Sequence, residues 1–283
     1  MPTATPKPVA CTIAGSDSGG GAGIQADLKS MEANGVFGTS VITAITAQNT
    51  EAVTKAQPVA LDLISAQIEA VLSDFPVAAI KTGMLATANI IERVASELEQ
   101  RDGYPLVVDP VMISKSGYEL LAPEAVATLR NRLLPLATVI TPNLHEAGHL
   151  LDAPVRTEAD MRDAARTLFD MGPAAVLIKG GHLAATDDAV DVLYDGTTFH
   201  AVRAPRIDTP HTHGTGCTYA SAIAAHVAHG RALPAAVRQA KAYVTKAIEQ
   251  ALPLGSGHGP TNHFFHCTPF TEPASSPVVS DAA

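Results

Sequence analysis

The sequence predicts an α/β fold in which a central, mostly parallel sheet carries helices on both faces. Three observations lead there. Short apolar runs alternate with amphipathic runs of roughly 3.6-residue spacing almost from end to end. The composition, 46% hydrophobic and 17% charged over 283 residues, is that of a globular chain able to bury a large core. Glycine-rich or polar segments follow the apolar runs, and the strand ends of an open parallel sheet are where such segments gather a ligand.

The runs Val9–Ala14, Ser40–Thr46, Ala78–Thr82, Leu106–Asp109, Val139–Thr141 and Ala175–Lys179 read as buried strands. Between them, Ile24–Asn34, Leu61–Ser73, Ile90–Gln100, Pro123–Leu134, Asn143–Leu151 and Ala159–Met171 carry helical spacing. This alternation builds βαβ units with right-handed crossovers. Asp191–Tyr194 and Thr198–Val202, joined through Asp195-Gly196-Thr197, read as a hairpin, and two helices follow at Gly216–His229 and Pro234–Ala251. No internal repeat or linker divides the chain. One domain is expected over residues 9–266, with loose tails at 1–8 and 268–283.

A net charge of −9, no basic block and no Trp argue against a nucleic-acid partner, because a phosphate backbone calls for clustered Lys and Arg. No apolar run is long enough to span a bilayer, and the N-terminus lacks the apolar core of a signal peptide. Cys11, Cys217 and Cys267 form neither a CxxC nor a metal-ligand spacing. Free thiols in a reducing cytoplasm are expected. No metal-ligand spacing is expected among the eleven histidines: His211 and His213 flank a loop while His258, His263 and His266 cluster near the C-terminus, and neither group is read as a metal site.

Two glycine-rich segments stand out. His211-Thr-His-Gly-Thr-Gly-Cys-Thr218 runs straight into an apolar helix, so Gly214, Thr215 and Gly216 can turn backbone N–H groups and the positive helix end toward an anion. The same field is expected to favour thiolate at Cys217 in the first turn. Equally, the segment reads as a glycine-rich loop with a small buried Cys. Ala14-Gly-Ser-Asp-Ser-Gly-Gly-Gly-Ala-Gly-Ile-Gln-Ala-Asp27 follows the first strand, but lacks the Gly-Lys-Ser/Thr ending of a phosphate-binding P-loop and does not fit GxGxxG at Gly19. Close approach of a flat organic ligand to its backbone is expected, with Asp27 and Gln48 as polar readers. Taken alone, Asp27 is a solvated carboxylate near a helix start.

At other strand ends, Asp109 and the pair Asn143 and Glu146 can hold Mg²⁺ for a nucleoside triphosphate. By spacing alone Asn143 and Glu146 also fit an N-cap and capping box. Lys179 before Gly180-Gly181 reads as a phosphate clamp or as a solvated lysine. Jointly placed at one sheet edge, these groups point to phosphoryl transfer.

Thr12–Lys29, Val41–Thr50, Lys81-Thr-Gly-Met-Leu85, Val108-Asp-Pro-Val-Met112 with Lys115-Ser-Gly117, Ile140–Ala147, Lys179-Gly-Gly-His182 and His213-Gly-Thr-Gly-Cys217 together resemble the hydroxymethylpyrimidine/phosphomethylpyrimidine kinases of thiamine biosynthesis. The resemblance implies a ribokinase-like fold, often assembled as a homodimer. It also implies two ATP- and Mg²⁺-dependent steps on 4-amino-5-hydroxymethyl-2-methylpyrimidine: phosphorylation of the hydroxymethyl group, then of the monophosphate. Carried over by matching motif, Gly15, Ala22, Asp27, Gln48, Met84 and Val111 would form the pyrimidine pocket. Asn143 and Glu146 would organise Mg²⁺, while Asp109, Lys179 and Thr215 would lie near the triphosphate. Many ribokinase-like sugar kinases carry Gly-Ala-Gly-Asp where this chain has Gly-Thr-Gly-Cys, so Cys217 would stand in the place of the base, flanked by the Gly214 and Gly216 amides. The competing readings are a pyridoxal/pyridoxine kinase of the same superfamily and a non-catalytic binder on this fold. No fused thiamine-phosphate synthase domain is expected.

Overall fold

The computed structural model describes residues 7–101, 103–114, 117–181, 183 and 187–268. Apart from Lys7, Pro8 and Thr268, the expected tails lie outside the described residues, as do Lys115, Ser116 and His182 of the motifs.

Among the described residues nine strands form one sheet in the order β3-β2-β1-β4-β5-β6-β7-β8-β9. They are β1 (Val9–Asp17), β2 (Phe37–Gln48), β3 (Val53–Pro58), β4 (Val77–Thr82), β5 (Leu106–Val108), β6 (Val139–Ile140), β7 (Val176–Gly180), β8 (Asp188–Tyr194) and β9 (Phe199–Pro205). The pairs from β2 through β7 are parallel, whereas β3 and the β8–β9 hairpin add antiparallel edges. The helices are α1 (Gly23–Ala33), α2 (Leu61–Leu72), α3 (Ala88–Glu99), α4 (Ala125–Thr128), α5 (Leu144–Leu151), α6 (Glu158–Phe169), α7 (Thr215–Ala228) and α8 (Leu233–Glu249).

The central strands are buried on both faces, which is why they read as continuous apolar runs. Their two-residue period divides the core: Val107 and Val139 pack beneath α1, α7 and α8, while Val108 and Ile140 pack against α2, α3, α5 and α6. Helix starts follow their caps. The Thr87 hydroxyl accepts the Ile90 N–H ahead of α3, and Thr157 with Asp160 closes a capping box at α6.

Two elements depart from expectation. β3 was not expected, because VTKAQP is polar and mostly exposed; it joins as an antiparallel edge strand with Pro58 at its end, where a missing N–H costs no ladder bond. The helix expected over Pro123–Leu134 is broken: after α4 the chain widens into a π turn at Leu129–Leu133 and tightens into a 3₁₀ turn at Leu134–Leu136. Pro135 cannot donate to the carbonyl four residues back, so a regular α-helix cannot run through it. Among the described residues no helix is long and apolar enough to cross a membrane.

Candidate active site

The carboxyl ends of β1, β4, β5, β6 and β7 open into one cavity of about 940 Å³, also lined by the loop ahead of α7. Its two ends differ in chemistry.

At one end the β1–α1 loop is wound around Asp17. This carboxylate accepts N–H groups from Gly19 (2.8 Å), Gly21 (3.1 Å) and Ala22 (2.8 Å), and its Oδ2 lies 2.9 Å from Nε2 of His213. Burial pushes the Asp17 carboxyl up, but the His213, Ala22 and Gly19 donors outweigh it and hold it below its ordinary range. His213 also meets the Gln48 amide at 3.3 Å, so the ring ties the two glycine-rich loops together. A Cβ on Gly214, whose φ is +80°, would overlap the carbonyl oxygen of Gly21. Gly15, Ala22, Gln48, Met84 and Val111 all line the cavity. A Cβ on Gly15 would come 2.9 Å from the Met84 sulfur, so glycine there makes room for the thioether against the floor.

Asp27 is the correction. The resemblance makes it a reader of the ring, yet its side chain is sealed from solvent beneath the floor and does not line the cavity. Both of its oxygens lie 2.9 Å from Lys81 Nζ; Thr12 donates to one and Ser221 to the other, each at 2.6 Å. No hydrogen-bonding direction is left for a ligand. Nor is Asp27 solvated. It faces inward because its position on α1 points at the β1–β4 face. Burial works against the Lys81 charge, but Asp27, joined by Cys217 and Asp109, raises the Lys81 pKa.

At the other end, Lys179 Nζ sits 2.8 Å from Asp109 Oδ1, which also takes the Thr141 hydroxyl at 3.1 Å. A Cβ on Gly216 would lie 3.5 Å from Lys179 Nζ and 3.6 Å from Asp109 Oδ2. The start of α7, the ammonium and the carboxylate therefore share one small volume. Asn143 and Glu146 form the capping box that spacing alone allows, the Asn143 side chain accepting the Glu146 N–H at 2.9 Å and Glu146 accepting the Asn143 N–H at 2.8 Å. Burial pushes the Glu146 carboxyl up to about 7; Lys179 pulls it down and Asp109 adds to the rise. Burial also works against the Lys179 charge, but Asp109 and Glu146 raise its pKa.

Cys217 lines the cavity between the two ends. The thiolate expected there is not favoured: burial pushes the thiol up to about 12, and the pull of Lys81 and of the Gly23 N–H does not offset it, with Asp27 and Asp109 adding to the rise. The field of one helix start is outweighed by desolvation and two carboxylates.

Sequence reasoning missed three groups. Asp17, in Ser16-Asp-Ser-Gly-Gly, had the signal of an Asp preceding glycines, whose side chain folds back onto following N–H groups. Lys81 had the signal of a lysine inside an apolar strand, which demands a buried partner. Lys241 pairs with Asp191 at 2.7 Å, and Asp191 also takes the Gly180 N–H at 3.0 Å, pinning the strand end beside Lys179. No local pattern marks that pair, since its members lie on β8 and α8.

A family model described as phosphomethylpyrimidine kinase matches residues 17–262. The chain belongs to the phosphomethylpyrimidine kinase family. It is 53% identical over 262 residues to the hydroxymethylpyrimidine/phosphomethylpyrimidine kinase of Streptomyces coelicolor, spanning 93% of this chain and 96% of that one. Against the Bacillus subtilis protein of the same description the identity is 48%, over 90% of this chain and 94% of the other. Among solved structures, the ADP complex of Bacillus subtilis pyridoxal kinase superposes with a TM-score of 0.85 at 42% identity, covering 91% and 98% of the two chains. The phosphomethylpyrimidine kinase of Clostridium difficile gives 0.76 at 45% identity, covering 86% and 100%. The ribokinase-like α/β fold and the kinase assignment expected from the sequence both stand on these matches.

Proposed function

We propose that this kinase phosphorylates the hydroxymethyl group of 4-amino-5-hydroxymethyl-2-methylpyrimidine with ATP and then phosphorylates the monophosphate, in thiamine biosynthesis. The observation carrying the reading is a single cavity that joins an apolar floor (Gly15, Met84, Val111) to a cationic phosphoryl cradle (Gly214, Thr215, Gly216, Lys179). In each step an oxygen of the pyrimidine substrate forms the new O–P bond as the bond to ADP breaks. The Gly214–Gly216 backbone and Lys179 stabilise charge on the transferred group. Gln48 reads the ring, with Asp17 holding the loop against it.

Glu146, oriented by Asn143, and Asp109 fit Mg²⁺: they are hard oxygen donors, and Glu146 is a buried carboxyl with its pKa raised that a dication would ionise. Held there, Mg²⁺ would offset the negative charge of the triphosphate. Cys217, a neutral thiol, orients the hydroxyl rather than removing its proton beforehand. The hydroxyl proton leaves late to a transferred phosphoryl oxygen, as a loose transition state permits. The second step uses an oxygen that is already ionised and depends less on Cys217. Cys217→Ala therefore lowers the first rate more than the second in a coupled assay, and equal losses would remove Cys217 from hydroxyl positioning. A cytoplasmic setting is supported by three free cysteines, and a homodimer by the stacked, exposed Phe37 and Phe75.

The pyridoxal kinase reading is favoured by the TM-score of 0.85 to the Bacillus subtilis enzyme. Steady-state kinetics with the pyrimidine, its monophosphate and pyridoxine side by side separates the two. The pyrimidines are expected to give the larger kcat/KM. Ligand binding without ADP release for any of the three would return the chain to a non-catalytic binder.

A further inference from the structure

The capping box that starts α5 fixes which way its side chains point. Glu146, Ala147 and Leu150 face the core, and His145 and His149, four residues apart, fall together on the exposed side. Their Nε2 atoms are 3.3 Å apart, with ring centroids 4.4 Å apart and planes at 65°. His145-Glu146-Ala147-Gly148-His149 has the HExxH spacing, a signal missed when the histidines are weighed by cluster and loop position alone. In a hydrolytic zinc centre of that spacing the Glu stands over the metal as general base. Here Glu146 is turned inward, accepting the Asn143 N–H and facing Lys179, so hydrolytic chemistry of that kind is ruled out.

What the spacing leaves is a pair of imidazole nitrogens held at a chelating distance. A tetrahedral ion with two metal–nitrogen bonds of about 2.0–2.1 Å needs those nitrogens about 3.3–3.4 Å apart. The observed separation matches, and the hydrogen bond between the two rings gives way as an ion takes the place of the shared proton. Both rings are exposed, and His145 lines the cavity beside Asn143 and Glu146. Arg130 donates to the His149 carbonyl oxygen and is paired with Asp152 at 2.9 Å.

We propose that His145 and His149 form a two-histidine site for a divalent cation that favours nitrogen ligands, Zn²⁺ foremost, at the phosphoryl rim of the cavity. Mg²⁺ is not its ligand, since Mg²⁺ selects oxygen donors. Among the described residues no cluster of three or more His, Cys, Asp or Glu could hold a metal. The bound ion therefore keeps open positions, filled by water or by an oxygen of a phosphate ligand in the cavity.

The site is tested on the full chain, freed of any affinity tag and treated with chelator, by titrating Zn²⁺ in competition with a chromophoric chelator. The parent is expected to bind one equivalent more than either His145→Ala or His149→Ala. Any residual binding at this position is at least about tenfold weaker, because losing a direct ligand costs no less than losing an outer-shell partner. His258→Ala leaves the extra equivalent in place, and His149→Cys, which keeps a donor there, retains it. Both histidines are exposed, so the variants fold, which an unchanged Tm checks. Equal stoichiometry and affinity in the parent and both alanine variants would overturn the site. The readout is metal binding alone and does not depend on which substrate the kinase uses.

Discussion

Two Asp–Lys pairs of nearly equal length stand behind the strand ends, and they do opposite work. Asp27–Lys81 spans 2.9 Å with both side chains at 0% exposure, and Thr12 and Ser221 take up the rest of the carboxyl group. Asp109–Lys179 spans 2.8 Å at 2% and 13% exposure, with Lys179 opening toward Gly216 and the cavity. The first pair's carboxylate is closed and holds α1, β1, β4 and α7 to one another, with Lys81 reaching the cavity wall. The second keeps a face for a ligand. What separates scaffold from machinery is the hydrogen-bonding capacity each pair leaves open, not the residue types.

Breaking the closed pair has the largest expected effect. Asp27→Asn strands a buried ammonium and lowers stability by about 3–5 kcal/mol, read as a fall in Tm or in the denaturant midpoint. The surviving folded enzyme keeps its pyrimidine KM; a tenfold rise in KM at unchanged Tm would restore Asp27 as a ring reader. Breaking the open pair acts on rate. Lys179→Gln lowers kcat by roughly 10²–10³, about 2.7–4 kcal/mol of transition-state stabilisation, with a smaller loss of stability than Asp27→Asn causes. A mutant that melts early yet turns over at the parental rate would exchange the two roles.

A finer test lies on the cavity floor. Gly15→Ala presses on the Met84 thioether and is expected to raise the pyrimidine KM about tenfold while leaving the ATP KM in place. The smallest effect is the alkaline behaviour of Cys217, which sits between the pairs. Its folded pKa, about 12, lies above the ordinary 9.0, so above pH 9 the unfolded chain releases a proton that the folded chain keeps. Stability from this group is complete below pH 9 and declines as pH rises toward 12. Cys217→Ala flattens that part of the curve in urea titrations run from pH 8 to pH 11, and iodoacetamide alkylates exposed Cys267 ahead of Cys217.

The alternation of buried strands and amphipathic helices was legible because burial on both faces leaves an unbroken apolar run, as at Ala175–Lys179. β3 was not, since an edge strand needs no apolar face. At the site, Lys179 and the Gly214–Gly216 loop were legible because a strand end and a helix start announce themselves locally. Asn143 and Glu146 were legible as a capping box. Asp27 was misplaced for a geometric reason. A motif records that an acid is present near a loop, but whether it points over the strand ends or under them depends on helix phase and on Lys81, 54 residues away. Asp17, ten positions earlier, is the acid that lines the cavity, where it gathers the loop's own N–H groups and His213.

The overlap awaiting any side chain at Gly214 has a consequence for how this kinase can change. The β1–α1 loop and the loop ahead of α7 are separated by nearly two hundred positions, yet they share one steric surface through Gly21 and one hydrogen-bonded contact through Asp17 and His213. A lineage altering its ring preference by rebuilding the first loop must alter the second in the same stroke or lose the cradle. Divergence toward another vitamin precursor therefore has to proceed through paired substitutions, and single-site libraries across either loop alone will return mostly inactive enzymes.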